Sequence, residues 1–168
     1  DLLHAGNLLL QKLPGPAFNV TTHVDAAGLA PGQQAGLLIM GQDYAYLAIQ
    51  RTADGYQLRR VTCKNAVNGG TETRAAAVMV GDAAITLRVS DASGGLCTFS
   101  YAAAGGTFMP IGDAFTAREG RWIGAKVGLF ANNVGTGTRT AVKSAADSPA
   151  GHADFDDFLF APLNAPSA

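Results

Sequence analysis

The sequence predicts an all-β sandwich, and three observations predict it. Short apolar runs alternate with period two. Turn residues bound each run, and no long helical periodicity occurs. The runs recur at close to the roughly 8–12 residues expected of an antiparallel sandwich. At 168 residues the chain reads as a single domain over 1–168, long enough to bury its own core.

The expected strands, in order, are 18–24, 35–40, 44–51, 57–64, 84–90, 96–102, 123–130 and 153–160. The alternation is plainest in 84–90, where Ile85, Leu87 and Val89 fall on one face and Thr86, Arg88 and Ser90 on the other. Ala53-Asp54-Gly55 and Ser93-Gly94-Gly95 separate strand pairs with the residues that hairpins use. The stretch 132–151 is small, polar and aperiodic, and is expected to be a long surface loop, with one helical turn possible at 141–146. The end, 162–168, is expected to be poorly ordered. The predicted core is Leu37, Ile39, Leu47, Ile49, Ile85, Leu87, Val89, Phe99, Ile123, Val127 and Leu129.

Composition excludes several classes. A net charge of −1 gives no electrostatic footprint for nucleic acid or an anionic membrane surface. No apolar run approaches the ~20 residues of a membrane helix. The leucine-rich start is broken by Gly6-Asn7 and Gln11-Lys12, so it does not read as a signal peptide. Without an initiator Met, the chain reads as an excised piece or a processed product. Cys63 and Cys97 form no C-x-x-C, which leaves a zinc or redox site unsupported. Isolated strand cysteines read as buried free thiols, with a disulfide as the other possibility.

Chemistry-bearing residues are sparse. His4, His23 and His152 are the only histidines, and none neighbours a nucleophile elbow. Most carboxylates sit at predicted turns, where Asp caps backbone N–H groups. No pair stands out as the two opposed carboxyl groups that glycoside hydrolysis requires. Only Asp154-Phe155-Asp156-Asp157 clusters. Asp154 and Asp156 are therefore the candidate ligands for a Ca²⁺ ion, against the simpler reading of solvated or backbone-bonded aspartates. On their strands, Tyr44 and Tyr46 share a face with Gln50, and Trp122 shares one with Lys126. With Arg51, Arg59 and Arg88 nearby, these form a candidate wet surface for sugar or protein. The alternative is that the aromatics cap the core.

Six stretches, taken in order, are more specific. They are "GNLLLQKLPGPAFNVTT" (6–22), "QAGLLIMGQDYAYLAI" (34–49), "GYQLRRVTCK" (55–64), "LCTFSY" (96–101), "PIGDAFTAREGRWIGAKVGLF" (110–130) and "HADFDDF" (152–158). Together they resemble the C-terminal module of glycoside hydrolase family 43, the β-xylosidases and α-L-arabinofuranosidases. The resemblance spans 6–160 and leaves 161–168 as a tail. It implies a concanavalin A-like jelly-roll sandwich of two antiparallel sheets. It also implies a non-catalytic module packed on a catalytic β-propeller that this chain does not contain. A loop of the module would help close the substrate pocket. The matching positions are the turn 118–122, with Arg118, Arg121 and Trp122, and Lys126 beyond it. An independent carbohydrate-binding module for xylo- or arabino-oligosaccharides is the alternative, and a lectin-like or protein-interaction sandwich a third.

Overall fold

The computed structural model describes residues 2–15, 17–120, 124–134 and 151–163. Twelve strands run through them: β1 (Leu8–Lys12), β2 (Phe18–Asp25), β3 (Gln33–Met40), β4 (Tyr44–Thr52), β5 (Gly55–Cys63), β6 (Glu72–Val80), β7 (Ala84–Asp91), β8 (Leu96–Ala102), β9 (Met109–Pro110), β10 (Phe115–Thr116), β11 (Lys126–Asn133) and β12 (Asp154–Pro162). Two short 3₁₀ turns, Leu2–His4 and Ala66–Asn68, are the helical elements among the described residues.

The strands form two six-stranded antiparallel sheets. The first has the order β1-β11-β3-β4-β5-β6. The second has the order β10-β8-β7-β2-β12, with β9 paired to β8. The inner faces meet in one core holding Val20, Leu37, Leu47, Ile49, Leu87, Val89 and Phe99. Every described member of the predicted core is buried there. Ile123 lies outside the described residues.

Strand sequence explains which sheet faces water. In β2 and β7 buried positions alternate strictly with partly exposed ones. "FNVTTHVD" turns Phe18, Val20, Thr22 and Val24 inward and leaves Asn19, Thr21, His23 and Asp25 outward. In β3 and β4 nearly every position is buried, and "GLLIM" and "YAYLAI" are almost continuously apolar. A run without alternation marks a strand covered on both faces. The first sheet is covered on its outer face: Leu38, Met40, Tyr44, Tyr46, Ala48, Val61, Cys63 and Phe130 form a second cluster. The Leu2–His4 turn closes it, with Leu2 fully buried.

Four strands were not expected: β1, β6, β9 and β10. β1 holds Leu8 to Lys12 in register with Phe130 to Lys126. It packs closely on Gly128, where a side-chain carbon would collide with the Leu9 carbonyl. β6 pairs with β5 through a register shift at Arg60/Val61. β11 extends through Asn132 and Asn133, the first residues of the expected long loop, and 135–150 of that stretch lie outside the described residues. The expected helical turn at 141–146 lies outside the described residues.

Candidate functional site

The described part of the turn singled out from sequence, 118–120, meets the β3–β4 turn at one end of the first sheet. Gly41 is required there, because any side-chain carbon would run into the Arg118 carbonyl. Gln42 N–H donates to the Glu119 carbonyl at 3.2 Å. Asp43 Oδ1 accepts from the Asn65 N–H at 2.7 Å and pairs with Arg118 Nη1 at 3.3 Å. Asp43 is 1% exposed, while the Arg118 side chain is 52% exposed. A buried carboxylate thus tethers a cation that stays largely in water. Lys126 opens β11 at the same end, opposite Lys12 on β1 and Met40 on β3. An open cleft of about 380 Å³ lies beside them, lined by Lys12, Leu13, Gly95, Ala117, Glu119 and Gly124, among others. Arg121 and Trp122 lie outside the described residues.

Tyr44 and Tyr46 do not form the wet surface expected of them. Both are buried in the outer cluster, with ring centroids 6.4 Å apart. Their hydroxyls end on one carboxylate: Tyr44 donates to Glu72 Oε1 at 2.7 Å and Tyr46 to Glu72 Oε2 at 3.2 Å. Burial pushes the Tyr46 phenol up to about 12. Burial, then the hydrogen bond to Glu72, pushes Tyr44 further up. The reason for the correction is the Leu2–His4 turn, whose buried Leu2 packs with these rings on a face that strand alternation alone would leave open, with Leu8 and Leu10 of the edge strand β1 beside it. The arginines also separate. Arg59 shares the outer face of the first sheet, with Ala48 as its cross-strand partner. Arg51 lies over the Tyr56 ring at 4.7 Å. Arg88 belongs to the other sheet, 3.4 Å from the Phe108 ring centroid.

Asp154 and Asp156 are exposed on β12, opposite Asp25 and His23 of β2. Asp25 Oδ1 already accepts the Ala27 N–H at 2.9 Å. Among the described residues no group of three or more His, Cys, Asp or Glu assembles as a metal site. Both cysteines are free and buried, Cys63 in the outer cluster and Cys97 in the inter-sheet core.

The opposite end of the first sheet carries a polar cleft. Asn132 sits six residues along β11 from Lys126, roughly 20 Å away. A cleft of about 260 Å³ opens there, its polar wall including Asn7, Gln33, Gln34, Asn132, Asn133 and His152. Sequence reading missed this end because Asn132 and Asn133 read as loop. It missed Asp43 and Glu72 because isolated carboxylates near turns read as caps. The one usable signal was Gln34, a polar residue opening an apolar run.

The family model of the β-xylosidase C-terminal concanavalin A-like domain matches residues 1–161. The chain belongs to this family. Solved structures share the fold of this concanavalin A-like domain at low sequence identity. A bifunctional GH43-CE protein of Bacteroides eggerthii superposes with a TM-score of 0.77 and 19% identity, over 96% of this chain and 20% of its own. A GH43 hydrolase engineered to display endo-xylanase and exo-arabinofuranosidase activity gives 0.70 and 24%, over 80% of this chain and 29% of its own. The xylan β-1,4-xylosidase of Bacillus halodurans C-125 gives 0.68 and 19%, over 91% and 29%. The domain thus corresponds to less than a third of each of these proteins. No curated protein matches it.

Proposed function

We propose that this domain is the non-catalytic accessory part of a xylan- or hemicellulose-degrading glycoside hydrolase. It packs on that enzyme's catalytic propeller, and its Arg118 end helps shape the substrate pocket. The observation that carries the reading is one of proportion: a family model covers 1–161, yet the domain is only 20–29% of the three proteins compared above. The chemistry of its acids agrees. Asp43 is held by Arg118 and Asn65, Glu72 by two tyrosines, and Asp25 and Asp91 by the N–H groups of Ala27 and Ser93. These carboxylates act as acceptors within the fold rather than as the opposed pair of a glycosidase. A tethered cation with an exposed head suits contact with a partner surface or a sugar hydroxyl. Arg121, Trp122 and Lys126 belong to the same proposed contact.

Two measurements test it. The pure domain should release no p-nitrophenol from aryl β-xylosides or α-arabinofuranosides, and measurable turnover overturns the reading. In the hydrolase that carries the domain, Arg118→Ala and Trp122→Ala should each lower kcat/KM by about tenfold or more, a loss of about 1.4 kcal/mol of transition-state binding. Unchanged kinetics in both variants removes the pocket role.

A further inference from the structure

The cleft at the Asn132 end is polar but uncharged on its described walls. None of its described lining residues is an acid, a lysine or an arginine, and amide side chains dominate it. Leu29 and Ala131 add apolar carbon. Glycine shapes the walls: a side chain on Gly28 would strike the His152 ring, and one on Gly151 the Gln33 amide.

A directed hydrogen-bond chain leads into it. Glu72, as a carboxylate, only accepts, so Tyr44 and Tyr46 must both point their O–H groups at it. The Tyr46 oxygen is then free to accept from Gln34 Nε2 at 3.4 Å. The same nitrogen donates to Asn132 Oδ1 at 3.0 Å. Two consequences follow at the cleft. Asn132 has its oxygen occupied, so its Nδ2 amino group remains as a donor. Gln34 is 3% exposed, and its Oε1 has no hydrogen-bond partner among the described residues. One wall therefore presents a fixed donor, backed by a shielded acceptor that lacks a partner among the described residues, without net charge.

We propose that this cleft binds an uncharged sugar ring. A hydroxyl both donates and accepts, so a sugar ring can meet the Asn132 amino group and the exposed amides of Asn7 and Asn133 together. A phosphate or carboxylate would find no cation on the described walls, and a metal ion no carboxylate. The volume is below the roughly 300 Å³ at which pockets for drug-sized ligands begin, which suits one ring rather than a long chain. Tyr46 and Glu72 are positioning residues that hold the amides in this polarity. The site is separate from the Arg118 end: hydrolase kinetics test that reading, and sugar binding by the domain tests this one.

The test is a titration of the ¹⁵N-labelled domain with D-xylose, L-arabinose and xylobiose, with glycerol as a polyol control. Saturable shifts of the Asn7, Asn132, Asn133 and His152 amides by a sugar, and not by glycerol, support the site. Asn132→Asp keeps the shape but replaces the donor by an acceptor, and should weaken binding by about tenfold or more. Tyr46→Phe, which frees Gln34 to turn, should weaken it too, and the melting temperature reports whether each variant is folded. If Asn132→Asp lowers that temperature, Asn7→Ala gives the same reading from an exposed side chain. Absence of shifts into the millimolar range, equal shifts with glycerol, or full affinity in folded Asn132→Asp and Asn7→Ala overturns the proposal.

Discussion

The Tyr44 hydroxyl meets Glu72 Oε1 at 2.7 Å, joining the start of β4 to the edge strand β6 across the intervening β5. The Leu2 N–H donates to that same hydroxyl at 3.3 Å, so the beginning of the chain is tied to it as well. Glu72 therefore holds the outer cluster closed from its edge. Glu72→Ala should cost about 1–3 kcal/mol, because two buried phenols lose their acceptor. Tyr46→Phe should cost less, since the lost donor leaves a carboxylate that water can reach. Denaturant unfolding of the two variants checks the order.

The Asp43–Arg118 pair is unequal, and mutation should show it. Arg118 is largely solvated, so Arg118→Ala should cost no more than about 1 kcal/mol. Asp43 is buried and also caps the Asn65 N–H, so Asp43→Ala should cost about 2–3 kcal/mol. Equal effects in urea unfolding would mean that the cap contributes nothing.

Arg60 is the largest fully buried side chain among the described residues. Its guanidinium bonds the Val61 carbonyl at 2.7 Å, Thr62 Oγ1 at 3.0 Å and the Asp113 carbonyl at 3.3 Å, and lies 4.1 Å from the Phe99 ring centroid. Arg60→Ala should destabilise by about 2–5 kcal/mol, through a cavity and three stranded acceptors. Arg60→Lys should not restore stability, because an ammonium lacks the planar fork that reaches three acceptors and stacks on a ring. Thermal melts of both variants decide this.

Stability should fall on the alkaline side. Burial pushes Cys97 up from 9.0 to about 12 and Tyr46 up from 10.0 to about 12, and raises Cys63 and Tyr44. The folded chain keeps these protons where the unfolded chain loses them. Their contribution is complete below about pH 9 and drains away as pH climbs toward 12. Arg60 works in the opposite sense above pH 10, since burial pulls it down from 12.5 to about 10. Melting temperature against pH should turn down near pH 9. Replacing both cysteines by alanine should move that onset toward the tyrosine range; an unmoved onset would exclude the thiols as its cause.

The sandwich itself was legible in the sequence because alternation is a local property. Ile85, Leu87 and Val89 needed only their own strand to be assigned inward, and so did Val127 and Leu129. Edge strands were harder. "ETRAAAVMV" in β6 is mostly exposed, so no strong apolar period marks it. "LLLQK" in β1 reads equally as a loose leucine-rich start.

Sequence alone determined the fold class, the inter-sheet core and the family, since strand period and the order of six fragments survive without any coordinates. Tertiary structure alone decided which polar residues act together. Tyr44 and Tyr46 changed from candidate surface to buried network because a segment some forty residues earlier covers them. Gln34 and Asn132 lie 98 residues apart and meet only because β11 inserts between β1 and β3. The physical reason is range: a side chain's face follows from its neighbours in the strand, but its hydrogen-bond partner follows from which strand the sheet places alongside.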